Sequence, residues 1–290
     1  MIDIPEFFAS AKRPVFSFEF FLPKMPDDLD AFIASVRALK PLDPDFVTLT
    51  YGAGGTGRER TIEAAGRIQV ETGLTTACHL TCVAHTKPEI SAILDRLEKM
   101  NIRHVVALRG DTPQDGSARP AEERDFAYAA DLVRFARPRG SMRLAVAAYP
   151  EKHPESPSAD EDLRRFVEKC EAGADWGITQ IFFDARDYFA FVKRARAAGV
   201  ALPIVPGIMP VTGYAQLKRF TALCGASVPA ELDERLVRVQ NEPDAVVAVG
   251  IEWAARQCKL LLEGGAPGIH FYTLNRSRST AEILTRLRRA

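Results

Sequence analysis

Eight short runs rich in β-branched and aromatic residues recur along the 290 residues, each followed by a longer stretch of helical periodicity. This alternation restricts the fold more than any other feature. The runs are 15–20, 46–51, 74–81, 104–108, 143–148, 177–183, 203–208 and 268–272. Between the first two, Leu29, Phe32, Ile33, Val36 and Leu39 follow the spacing of one helix face, with Asp27, Asp28 and Asp30 at the helix start. Eight strand–helix pairs average about 36 residues each, close to a (β/α)8 barrel. The expectation is one α/β domain over residues 1–290, a closed TIM barrel, with 225–243 inserted in the seventh unit.

An open doubly wound sheet is the competing architecture, and it normally carries a glycine fingerprint after its first strand. Here LPKMP follows instead. The glycine run at 52–57 comes after the second strand without Walker spacing, so it reads as a weak phosphate cradle or equally as a flexible loop.

Chemistry is expected where strands stop, because barrels build sites at their carboxyl ends. The sharpest stop is 102–111, IRHVVALRGD, whose apolar run is too short for a helix and ends on Arg109, Gly110 and Asp111. An ordinary loop held by an Arg–Asp surface pair explains the same residues equally well. In the first strand, period-two alternation puts Ser17 and Glu19 on one face and Phe16, Phe18 and Phe20 on the other. If the phenylalanines meet the helices, Glu19 points into the barrel. Poor solvation there would raise its pKa and suit it to general-acid chemistry, the alternative being a structural acid paired with an interior cation.

Other strand ends add polar groups to the same rim. Thr50 and Tyr51 close the second run, His79 lies within the third, and Tyr149 and His153 follow the fifth in a loop stiffened by Pro150 and Pro154. Gln180 offers an amide that both donates and accepts. Tyr272 and Arg276 stand after the eighth run. His104 and His270 read as satisfied core residues.

The 38 basic and 38 acidic residues balance, which gives no electrostatic reason to expect nucleic acid or an anionic membrane as partner. No apolar run is long enough to span a bilayer, and no basic segment precedes an apolar one at the N-terminus, so a cytoplasmic enzyme of small molecules is expected. Five cysteines without a C-x-x-C pair point to buried packing, with no metal site.

The segments FSFEFFLPK, VTLTYGAGGTGRERT, HLTCVAHT, IRHVVALRGD, AAYPEKHPES, GITQIFFD, PIVPGIMPV and HFYTLNRS span residues 16–277 in order. Together they resemble the bacterial, single-barrel methylenetetrahydrofolate reductases. The resemblance implies an FAD-dependent oxidoreductase that converts 5,10-methylenetetrahydrofolate to 5-methyltetrahydrofolate with reducing equivalents from NAD(P)H, and that assembles as a homo-oligomer. The sequence leaves NADH, NADPH and a ferredoxin-type donor open, and leans to NADH because no Arg cluster stands ready for a 2′-phosphate. It makes Glu19 the general acid and Asp111 the carboxylate beside the flavin, also open to the pterin. It maps flavin contacts onto Thr50, His79, Leu108, Arg109, Gly110, Asp111, Tyr128, Ala129, Ala148, Tyr149, His153, Asp162 and Lys169. Arg109 and Lys169 suit a pyrophosphate and Asp162 a ribose hydroxyl. Folate or nicotinamide contacts map onto Gln180, Gln216, Phe220, Tyr272 and Arg276. Read without the family, Tyr128 and Phe220 are apolar-face helix residues.

FFLPK departs from the family's commoner FFPPK, and Arg165 stands where some relatives carry a smaller polar residue. Two alternatives remain: a folate-binding barrel that moves a methyl group to a corrinoid without flavin, and a non-catalytic partner subunit.

Overall fold

The computed structural model describes residues 2–23, 28–51, 58–83, 85–111, 124–275 and 277–289. The glycine run at 52–57 and Arg276 lie outside the described residues, as does Asp27 of the expected helix start. One parallel sheet contains β1 (Val15–Phe20), β2 (Phe46–Leu49), β3 (Thr76–Thr81), β4 (His104–Leu108), β5 (Arg143–Ala148), β6 (Trp176–Thr179), β7 (Ile204–Val205), β8 (Gly207–Ile208) and β9 (Gly268–Tyr272). The order β7-β6-β5-β4-β3-β2-β1-β9-β8 is that of a (β/α)8 barrel whose seventh strand is broken in two. Pro206 makes the break, since it has no N–H to give to a ladder. β7 pairs with β6 and β8 with β9, while the Pro206 carbonyl accepts from His270 N at 2.9 Å. The cylinder thus closes around a proline.

The crossovers are α2 (Leu29–Leu39), α3 (Arg58–Thr72), α4 (Lys87–Lys99), α5 (Ala129–Ala136), α6 (Ala159–Glu171), α7 (Ala185–Ala197), α8 (Tyr214–Cys224), α10 (Pro243–Glu263) and α11 (Ser277–Arg289). Phe16, Phe18 and Phe20 join the main core with the inward faces of these helices, so β1 turns its other face to the lumen as its alternation predicts. Residues 225–243, expected as an insertion, carry α9 (Ala230–Val239), whose Leu232 and Leu236 bury against Leu217, Met209 and Trp253. Four strands are shorter than expected: β2 ends at Leu49, β3 starts at Thr76, β6 ends at Thr179, and the seventh starts at Ile204 and is interrupted at Pro206. At β6 the reason is local: Gln180 Oε1 accepts from Ile181 N at 2.8 Å, which turns the backbone out of the ladder.

A short helix missed by periodicity, α1 (Ile4–Ser10), closes the amino end of the barrel. Asp3 caps it and Pro5 opens its first turn. Ile4 packs into the lumen with Phe46, Val106 and Trp176, and its N–H donates to His104 Nε2 at 3.2 Å. His104 is therefore a satisfied core residue, and burial lowers its pKa to about 4. Of the five thiols, Cys78, Cys82 and Cys258 are buried while Cys170 and Cys224 are half-buried, so packing accounts fully for three. No helix among the described residues is long and apolar enough to cross a membrane.

Candidate active site

With α1 sealing one end, the lumen opens at the carboxyl ends of the strands into a cup of about 890 Å³. Glu19 lies at its floor, 5% exposed. Its side chain points inward because it alternates with the three phenylalanines, and its backbone is held from the other side of the barrel seam. Thr273 Oγ1 and N donate to the Glu19 carbonyl at 2.6 and 3.2 Å. Asn275 grips the next turn, its Oδ1 accepting from Phe21 N and its Nδ2 donating to Phe21 O, each at 2.8 Å. That clamp requires left-handed backbone at Leu274 (φ 50°) and Asn275 (φ 57°), a conformation asparagine tolerates and leucine resists.

Glu19 differs from expectation in one respect. Burial does raise its proton affinity, but the nearby His79 and His270 outweigh it and bring the pKa down to about 2. His79 Nε2 stands 3.2 Å and His270 Nε2 3.3 Å from Glu19 Oε2, and Thr48 Oγ1 donates to the same oxygen at 3.4 Å. The raised pKa expected from burial is thus corrected: two imidazoles hold the carboxylate ionised. His79 Nε2 is near Glu19 without aiming at it, and it has no aligned hydrogen-bond partner among the described residues.

The wall rises from β4, β5 and α6. Gly110 is required there: its φ is +82°, and a Cβ would lie 2.8 Å from Thr81 Cβ. Arg109 pairs at 2.6 Å with Glu155, so the surface pair considered with Asp111 is replaced by one with the fifth loop. Asp111 stays exposed on the rim of the same cup. Tyr149 and His153 meet edge to face at 4.8 Å, and His153 Nδ1 accepts from Glu155 N at 3.1 Å. Lys169 Nζ donates to the Ala147 carbonyl at 2.5 Å. Burial lowers its pKa to about 8, against the pull of Asp162; burial likewise raises the pKa of Asp162.

The cup gathers Glu19, Thr50, His79, Leu108, Arg109, Gly110, Asp111, Tyr128, Ala129, Tyr149, His153, Asp162, Lys169, Gln180, Phe220 and Tyr272. Two expected residues are not in its lining. Ala148 faces the outer helices with the main core, and strand alternation exposes Ala147 to the cup in its place. Gln216 accepts from Thr212 Oγ1 at 2.9 Å on α8 and stays out of the wall. Tyr128 is not an apolar-face residue: it caps α5, is 42% exposed, and carries the Arg165 guanidinium 4.0 Å above its ring. Arg165 also pairs with Glu161 and Glu168 at 3.1 Å each.

Sequence reading missed Glu155 as the partner of Arg109 and the contact of His270 with Glu19. A signal for the second exists, since Ser17, Glu19, His270 and Tyr272 share an inward parity on strands that the barrel makes neighbours.

Fold and site define a (β/α)8 barrel with one sealed end and, at the other, a cup that joins a buried carboxylate to a cationic, aromatic wall. The methylenetetrahydrofolate reductase family model matches residues 5–288. The 5,10-methylenetetrahydrofolate reductase of Pectobacterium carotovorum is 40% identical over 267 residues, 92% of this chain and 88% of the relative. Methylenetetrahydrofolate reductase (NADH) 1 of Arabidopsis thaliana is 37% identical over 286 residues, 95% of this chain and 48% of that longer protein. The chain belongs to the methylenetetrahydrofolate reductase family and is an oxidoreductase. Among solved structures, an uncharacterized Clostridium thermocellum protein that binds two copies of 5-methyl-5,6,7,8-tetrahydrofolic acid superposes with a TM-score of 0.67. It is 14% identical and the match covers 98% of this chain and 96% of that one, a likeness of fold.

Proposed function

We propose that this protein reduces 5,10-methylenetetrahydrofolate to 5-methyltetrahydrofolate with electrons from NADH, through FAD held in the cup, and with Glu19 as the proton donor. The observation that carries this reading is the buried carboxylate at the floor of a family-matched barrel, facing a cavity large enough for a flat, multi-ring ligand. FAD, when bound, supplies a carrier that takes hydride from the nicotinamide and passes it to the folate.

The residues fit such a cofactor. Buried His79 Nε2 has no aligned partner among the described residues, so a ligand group could satisfy it. Lys169 and Arg109 supply cations suited to a pyrophosphate, Tyr149 a flat apolar surface, and Asp162 an acceptor for a ribose hydroxyl. Asp111 would put a negative charge near the cofactor and lower its tendency to gain electrons. Gln180, with Oε1 engaged on Ile181 N, keeps its amide N–H groups for the folate. Phe220 and Tyr272 offer aromatic faces to whichever substrate is present.

Glu19 donates a proton to the folate so that its five-membered ring opens to an iminium, the electron-poor carbon that hydride can attack. α1 and the packed lumen close the floor to water, so the ligand itself has only the open mouth left to cover. NADH is taken as the donor because Arg165 on the rim is already held by Glu161 and Glu168, whereas a 2′-phosphate calls for an uncommitted cation.

The test is anaerobic. NADH should bleach the flavin of the loaded protein, and 5,10-methylenetetrahydrofolate should restore its colour. A protein that cannot be loaded with FAD, or whose colour does not return with the folate, would sink this reading in favour of flavin-free methyl transfer or a non-catalytic role.

A further inference from the structure

His270 is fully buried, and both of its ring nitrogens are engaged. Nδ1 stands 2.8 Å from Ser17 Oγ and Nε2 3.3 Å from Glu19 Oε2. The register puts Ser17 beside His270 and Glu19 beside Tyr272 across the β1–β9 seam, with all four side chains pointing inward. A structural histidine needs one fixed hydrogen-bonding pattern. This one has a partner that can change roles, because a serine hydroxyl both donates and accepts.

Three protonation states therefore keep both hydrogen bonds intact. With neutral His270 protonated at Nε2, Nε2–H donates to the carboxylate and Ser17 O–H donates to Nδ1. With His270 protonated at both nitrogens, Nε2–H donates to the carboxylate and Nδ1–H donates to Ser17 Oγ. If the proton on Nε2 crosses to Oε2, the Nε2–H bond breaks, an Oε2–H bond forms, and Nδ1–H still donates to Ser17. Both residues are then neutral. The proton can move between ring and carboxyl without leaving a buried polar atom unpaired.

We propose that His270, oriented by Ser17, is a positioning residue that stores the proton for Glu19 and returns it to the carboxyl when the cup is filled. The proposal rests on Glu19 being the acid. It also resolves the conflict in that reading, because a carboxylate held ionised has no proton of its own to donate. The proton arrives from solvent through the open cup, resides on His270, crosses to Glu19 when ligand excludes water, and leaves for the folate. The other titratable groups facing the cluster are His79 from β3 and Tyr272 from β9. The Tyr272 hydroxyl donates to the Thr179 carbonyl at 2.7 Å, and burial raises its pKa well above the ordinary value.

The test compares wild-type, Glu19→Gln, His270→Gln and Ser17→Ala flavoproteins. The infrared carboxylate band that disappears in Glu19→Gln reports the ionisation of Glu19 directly. In His270→Gln the pH at which that band titrates should rise by about one unit or more. In Ser17→Ala it should move the same way by less. The folate half-reaction of His270→Gln should slow by about tenfold or more, without a matching loss in flavin reduction by NADH. An unmoved Glu19 titration in a folded His270→Gln protein overturns the proposal, as does an equal loss in both half-reactions. If His270→Gln fails to fold, Ser17→Ala carries the same two measurements. If Glu19→Gln still transferred hydride to the folate, the acid reading itself would fall, a result separable from the infrared one.

Discussion

Lys169 Nζ reaches from α6 over the end of β5 and donates to the Ala147 carbonyl at 2.5 Å, which puts an ammonium in the wall of the cup. Burial holds its pKa at about 8, so the cation is present below that pH and lost above it. An anionic cofactor should bind progressively more weakly as pH rises beyond about 8, by about tenfold for the loss of one charge-assisted hydrogen bond. Lys169→Met should bind weakly at all pH values and lose the step. Fluorescence titration of FAD across pH 6–10 checks both; a step of equal size in Lys169→Met would remove Lys169 from the pyrophosphate site.

Replacing Glu19 with Gln should leave FAD bound and reducible by NADH. The folate half-reaction should fall by about a hundredfold or more, the usual contribution of a positioned acid. Stopped-flow absorbance separates the two steps, and folate-dependent reoxidation at the wild-type rate would return Glu19 to a structural role.

Two buried groups should give acid sensitivity in different pH windows. His104 has its pKa lowered from 6.5 to about 4, so the folded state resists a proton that the unfolded chain accepts. Its contribution to stability is complete above pH 6.5 and lost between 6.5 and 4, at most about 3 kcal/mol. Glu19, lowered from 4.5 to about 2, contributes above pH 4.5 and loses that contribution as pH falls toward 2. His104→Gln can keep an acceptor for Ile4 N without titrating. Urea denaturation of this variant should therefore flatten between pH 6.5 and 4 while the lower slope persists.

Gly207→Ala should unseat Tyr272. The added Cβ would lie 2.3 Å from the Thr179 carbonyl and 2.5 Å from the Tyr272 ring, closer than real contacts allow. The expected cost is about 1–3 kcal/mol, with a higher folate KM and retained FAD. Thermal unfolding and half-reaction kinetics together check it; an unchanged folate KM would separate Tyr272 from folate binding.

Much of the frame was legible in order along the chain. The eight runs mark the barrel strands because parallel, buried strands must be short, apolar and separated by helices. The alternation around Glu19 predicted its inward direction because pleating admits only two faces. The seventh strand was less legible. It reads as one run, yet Pro206 withholds a donor and the barrel closes through two two-residue pieces. Helix α1 escaped detection because seven residues give too little periodicity; its place follows from contacts with His104 and Trp176, about a hundred or more positions away.

By itself, the sequence determined the order of strands and helices, the inward direction of Glu19, and through the ordered motifs which family the chain belongs to. These depend on local geometry and pattern. Only the tertiary structure decided the ionisation of Glu19 and the partner of Arg109. A pKa depends on every polar and charged group within a few ångströms, and the groups that matter here, His79, His270 and Glu155, arrive from distant parts of the chain only when the barrel closes.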